Sequence, residues 1–152
     1  MTGMGLDVMR LHSRDEFQTW LANDLEVRDE LAALIGAELG VDTASLDTLE
    51  AFLLGRYPGP DAALRLGRRG VLDAAARHIG LVMLLNVDGA EWAIDLDDED
   101  DAYYRLPIIL LDDGAEECPL ALATAALDRR TGDYLRTVVE SYEEEYDAAA
   151  GE

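Results

Sequence analysis

The sequence predicts a mostly helical α+β domain, with one antiparallel β-hairpin over about 91–111 packed against helices from both ends of the chain. Three observations carry this prediction. Apolar residues recur at intervals of three and four over most of the first 85 positions and again after 133. The period changes to two at Trp92, Ile94 and Leu96, which alternate with Glu91, Ala93 and Asp95. Finally, 152 residues with 49% hydrophobic content suffice for one core, and no shift in composition marks a second domain. Residues 1–147 are therefore read as a single globular domain and 148–152 as a disordered tail.

Ser13, followed three residues later by Glu16 and then by an apolar run from Phe17, has the pattern of a capping box. It sets the start of a helix over about 14–35, in which Phe17, Trp20, Leu21, Leu25, Leu31, Leu34 and Ile35 fall close to helical spacing. Thr43 and Ser45 are candidate caps for a second helix with Leu46, Leu49, Phe52 and Leu53 on one face, stopping before Gly55 and Pro58. Pro60 opens a short helix through Leu64. A longer helix runs from Val71 to about Leu85 on Leu72, Ala75, Ile79, Val82 and Met83. It ends in a turn at Gly89, where a positive φ carries no steric penalty.

The second strand is expected over 103–111. Pro107, which cannot donate to a ladder, implies an edge position or an irregular entry, and the unbroken run Ile108 to Leu111 implies cover on both faces. Two strands alone are marginal, so helices must pack on them. Pro119 opens a helix through Leu127, and Asp133 caps a final helix whose Leu135, Val138, Val139, Tyr142 and Tyr146 lie close to one stripe.

The net charge of −21 is unevenly placed: residues 88–117 hold 12 acids against Arg105 alone. Nucleic acids and anionic membranes are excluded as partners, because affinity for phosphate comes mainly from basic side chains that displace counterions. All 12 basic residues are arginine, a pattern that coding bias produces as readily as selection for bidentate pairing. The lone Cys118 excludes an intrachain disulfide and fits a reducing compartment. No apolar run has the length of a signal or a membrane span, so a cytoplasmic location is expected.

Asp95, Asp97, Asp98, Glu99, Asp100 and Asp101 place carboxylates in a pattern that invites a calcium-loop reading. Such a loop needs glycine at its sixth position and glutamate at its twelfth, and counting from Asp95 these are Asp100 and Leu106. The motif fails, and neither a metal nor another cofactor is expected; a solvated loop and a directional negative field are the readings that remain. His12 and His78 have no metal-ligand spacing to other candidates, and His78 is read as a partly buried structural residue. Glu116 and Glu117 beside Cys118 favour its protonated form, so it is read as an inert thiol. Arg68 and Arg69, between Gly67 and Gly70, lack the lysine and strand of a phosphate loop and are read as a surface turn able to meet the protein's own acidic loop. Trp92, Tyr103, Tyr104 and Arg105 cluster near the hairpin, as core or as the wall of a small-ligand pocket.

The span from Ile79 and Gly80 through Gly89 to Trp92, with the later run Leu127, Asp128, Arg129, Arg130, Thr131, Gly132, Asp133, Tyr134, Leu135, resembles a pattern in small bacterial proteins of unknown function. The resemblance covers roughly the second half of the chain. It implies a helix–hairpin–helix unit and brings no activity with it.

No acid, base and nucleophile converge in the sequence. The leading expectation is therefore a non-enzymatic interaction protein that presents Asp97, Asp98, Glu99, Asp100 and Asp101, with Glu143 to Glu145 in support, to a basic protein. Small acidic bacterial proteins that neutralise basic toxins, nucleases among them, are similar in composition. The alternative is a small-ligand site between hairpin and helices at Trp92, Tyr103, Tyr104 and Arg105.

Overall fold

The computed structural model describes residues 6–67 and 70–150, with side chains described as far as Glu145. Arg68 and Arg69 lie outside the described residues, as do 151 and 152. A short 3₁₀ turn, Leu6–Met9, leads into α1 (Arg14–Ala22) and α2 (Asp24–Ile35). There follow α3 (Ala44–Arg56), α4 (Pro60–Leu64), α5 (Val71–Asn86), the strands β1 (Glu91–Ala93), β2 (Ile108–Leu110) and β3 (Glu116–Glu117), then α6 (Pro119–Arg129) and α7 (Tyr134–Ala150). The fold is α+β and mostly helical, as the periodicities predict.

The axis of the fold is α5. Every residue from Val71 to Gly80 is buried, so this helix is enclosed on all sides rather than along one stripe. It packs against α2, α4, α6, α7 and the first two strands. The sheet is antiparallel in the order β1-β2-β3, with Trp92 opposite Ile109 and Ile109 opposite Glu117. Helices reach it from both ends of the chain: Ile94, just past β1, joins Leu11, Phe17 and Trp20 in a small cluster, and the Tyr142 hydroxyl donates to Glu117 Oε2 at 2.7 Å.

Several boundaries differ from those the sequence suggests. The expected helix over 14–35 breaks at Asn23 (φ −85°, ψ 1°). The break lets α1 deliver Phe17 and Trp20 to the small cluster beside β1, while α2 turns Leu31 into the main core. Ser13 caps α1 by accepting from the Glu16 amide at 3.1 Å, but Glu16 reaches back to the His12 amide. At α3 the capping acceptor is Asp42, whose Oδ1 takes the Ser45 amide; Thr43 donates instead to Glu140, and α3 continues through Gly55 to Arg56.

The second strand is three residues long rather than nine, because Asp101 draws the chain into turns: its side chain accepts the Tyr103 amide and its carbonyl the Tyr104 amide. With β3 added, β2 is central, and Pro107 stands just ahead of it, where no ladder donor is missing. The Ile108 to Leu111 run is covered as expected, with only Leu110 half-buried. Gly89 takes φ +79° in the turn before β1. The last helix continues to Ala150, through positions read from sequence as the start of a disordered tail.

One buried carboxylate ties the two halves of the helical layer together. Glu50, in the middle of α3 and fully buried, accepts the first amides of α7, from Leu135 at 2.8 Å and from Tyr134 at 3.3 Å. It therefore supplies the acceptor that the sequence assigns to Asp133. In the reverse direction, Arg130 donates to the Leu54 and Tyr57 carbonyls at the C-terminal end of α3.

Candidate functional site

The loop from Asp95 to Asp101 is built by its own aspartates. Asp95 Oδ1 accepts the amides of Asp97 and Asp98, Asp98 Oδ1 accepts the amide of Asp100, and the Asp95 carbonyl accepts the amide of Arg105. Each carboxylate thus replaces a backbone partner and holds the next turn in place. The amides of Asp97 and Asp98 hold the Asp95 carboxyl below its usual range. Asp97, Asp98, Glu99 and Asp100 are exposed and Asp101 is half-buried. Among the described residues, no arginine forms an ion pair with any carboxylate of this loop. The carboxylates of Asp95, Asp98 and Asp101 approach within 4.8 Å of one another, the arrangement most able to hold a cation here, though exposed acidic side chains commonly stand so without one.

The four residues proposed from sequence as a pocket wall take up different tasks. Trp92 lies edge-on against Trp20, with ring centroids 4.9 Å apart and planes at 83°, and its six-membered ring fills the space over Gly80. Tyr103 packs on the main core, where burial and the neighbouring Glu117 raise its pKa. Arg105 stacks over Tyr104 at 4.9 Å, donates to His12 Nδ1 and takes φ +63°, while its buried Nε has no hydrogen-bond partner. Its carbonyl accepts the Leu11 amide, and Arg10 donates to the Tyr104 carbonyl. The return of the hairpin is thereby fastened to the segment before α1.

The most elaborate polar constellation was not singled out by sequence. Asp73 and Arg77, one turn apart on α5, are both only 3% exposed. Asp73 Oδ1 accepts the Trp20 indole N–H at 2.9 Å, and Asp73 Oδ2 accepts Arg77 Nε at 2.8 Å. Arg77 also donates to the Trp20 carbonyl, lies 4.1 Å over the Trp20 ring, and has Asp24 at 3.6 Å. A cleft of about 490 Å³ opens beside this group, between α1, α2 and α5, with Trp20, Asp73 and Arg77 in its wall and Asp15 and Thr19 at its exposed side. The sequence signal was present: a charged pair at i and i+4 in a largely apolar helix must find partners when the helix is enclosed.

Ser45 and His78 also meet, with Ser45 Oγ 2.9 Å from His78 Nε2. The hydroxyl donates its single proton to the Asp42 carbonyl at 2.7 Å, so His78 Nε2 carries the hydrogen and donates to Ser45. The serine is therefore not activated by the imidazole. His78 is fully rather than partly buried. Its pKa is lowered to about 4, chiefly by burial and next by Arg28, against an opposing pull from Asp24. Cys118 is buried against the Pro107 carbonyl, and burial pushes its thiol up to about 11, where it is protonated and unreactive at neutral pH.

Among the described residues, no helix is long and apolar enough to cross a membrane. No family model, no curated protein and no solved structure matches the chain.

Proposed function

We propose that this chain is a non-enzymatic interaction protein that presents Asp97, Asp98, Glu99, Asp100 and Asp101 to a basic protein. The observation that carries this reading is negative charge with no ion-pair partner among the described residues, in a loop shaped by its own hydrogen bonds. Four consecutive carboxylate residues are exposed, amide-to-carboxylate bonds fix the backbone beneath them, and no arginine among the described residues neutralises them. A loop already shaped before binding loses less conformational entropy when a partner arrives. Its field decays over about 8 Å at physiological salt, so it speeds encounter more than it strengthens the final complex. The small-ligand alternative at Trp92, Tyr103, Tyr104 and Arg105 has less support, because Trp92 is engaged by Gly80 and Trp20, and Tyr104 by Arg105.

The test is the salt dependence of association with an arginine-rich synthetic peptide. The rate constant should fall steeply as salt rises for the native chain and much less steeply once Asp97, Asp98, Asp100 and Asp101 are replaced by asparagine. Equal slopes for the two proteins would refute the reading.

A further inference from the structure

We infer that the small cleft between α2, α5 and the segment that follows α2 receives the primary carboxamide of a glutamine or asparagine side chain of a partner protein, with His78 Nδ1 accepting its N–H and Arg28 donating to its carbonyl. The acidic loop takes no part in this site, so the inference stands apart from the reading above.

The acceptor is set by a short chain of hydrogen bonds. Ser45 donates its hydroxyl proton to the Asp42 carbonyl, so the hydrogen between Ser45 and His78 belongs to Nε2, and Nδ1 keeps its lone pair. Among the described residues no group bonds Nδ1, yet it is not sealed from solvent; what it meets is the interior of the cleft that His78 lines. The imidazole is only 2% exposed and stays neutral at pH 7, because burial and Arg28 hold its pKa down to about 4. Neither rotation nor protonation removes the acceptor.

The donor stands in the same wall. Arg28 gives Nε to Asp24 at 2.7 Å, and its terminal nitrogens form no hydrogen bond among the described residues. A neutral acceptor beside a guanidinium suits a group that donates and accepts in one plane, as a carboxamide does. An ammonium would offer Arg28 no acceptor and would meet its charge. A carboxylate would offer Nδ1 no proton and would pass Asp29 and Glu38, both exposed at the rim. Size selects the source: the cleft holds about 220 Å³, below the roughly 300–1,000 Å³ of small-molecule pockets, and has room for one side chain. Ala32, Leu39 and Leu81, all half-buried, give apolar cover to a methylene stem, which a water molecule in the same place would lack.

His12 is the only other histidine, so a long-range ¹H–¹⁵N spectrum of the imidazoles reports on the site against an internal control. Before any addition it should show His78 protonated on Nε2 and unprotonated on Nδ1. The probe is propionamide, the glutamine side chain without its backbone. It should move the His78 Nδ1 resonance saturably, half-complete at about 5–50 mM as suits so small a ligand, and leave His12 unmoved. N,N-dimethylpropionamide, which has no N–H, and propionate should have no such effect. N-acetylglutamine methylamide should bind at least as well as propionamide; its exclusion would assign the cleft to a free small amide and overturn the choice of a side chain. A32L, which fills the cleft from α2, should abolish the response while circular dichroism stays native, and R28M should weaken it about three- to tenfold, as for one hydrogen bond. No saturable shift, an equal shift with the dimethyl amide or propionate, a proton on Nδ1, or an undiminished response in A32L and R28M would each overturn the inference. The two readings fail separately: asparagine at the loop aspartates should leave the propionamide response intact, and A32L should leave association with the arginine-rich peptide intact.

Discussion

The six-membered ring of Trp92 rests directly on the backbone of Gly80, so closely that a Cβ at position 80 would overlap it. This contact docks β1 on the central helix, and the same indole then meets Trp20 of α1. Gly80 is the only residue type that fits. G80A should destabilise the fold by about 1–3 kcal/mol, the range for overpacking a core, although alanine favours a helix intrinsically. Urea unfolding measures the loss, and a native-like stability would show that the indole has room to move aside.

Removing Arg77 should be more damaging than removing most apolar side chains. R77M leaves Asp73 buried and bonded only to the Trp20 indole, and an uncompensated buried charge is worth about 3–5 kcal/mol of lost stability. The double variant D73N/R77M should recover part of this, because the unpaired charge is gone. A double-mutant cycle by chemical denaturation checks the sign: single losses that merely add would deny the coupling.

Glu50 gives a separate prediction about α7. E50A removes the buried acceptor for the Tyr134 and Leu135 amides, and should lower stability by about 2–3 kcal/mol, as for hydrogen bonds to a charged group. Hydrogen exchange should accelerate first at these two amides. Unchanged protection there would indicate that the start of α7 is held by other means.

The pH dependence follows from His78. Its folded pKa of about 4 lies below the ordinary value of 6.5, so the unfolded chain takes up the proton first. The stability associated with neutral His78 is complete above pH 6.5 and is lost as pH falls through 6.5 toward 4, by roughly 3 kcal/mol in all. H78Q should flatten this part of the stability profile. The lowered Asp95 and Glu140 carboxyls act in the same direction at still lower pH, since they too are stabilising only when ionised. A profile between pH 6.5 and 4 that is identical for H78Q and the native chain would rule out the buried imidazole as its cause.

These predictions draw on features of uneven legibility in the sequence. The helices and β1 were legible because apolar residues recur at helical and strand spacing, though nothing in that spacing announced that α5 is enclosed on all sides, and the Ser13 cap because its chemistry is local. The break at Asn23 was not, since it is imposed by two separate packing surfaces, and neither was β3, whose two glutamates have no strand propensity to announce them. Exposure of the acidic loop followed from composition. Its ordered backbone did not, because that depends on which aspartate accepts which amide. The grouping of Trp20, Asp73 and Arg77 spans more than fifty positions and could be anticipated only as a need for partners, without naming them.

The most direct test of the central claim, that the loop acts as a shaped negative surface rather than as diffuse charge, compares two variants with the same net charge. One carries asparagine at Asp97, Asp98, Asp100 and Asp101; the other carries the corresponding amides at Glu26, Asp29, Glu30 and Glu38, four exposed positions in and just after α2. Stopped-flow association with the arginine-rich peptide should slow about tenfold for the loop variant and less than about twofold for the helix variant. Equal slowing of both would contradict the account, because net charge alone would then explain the attraction.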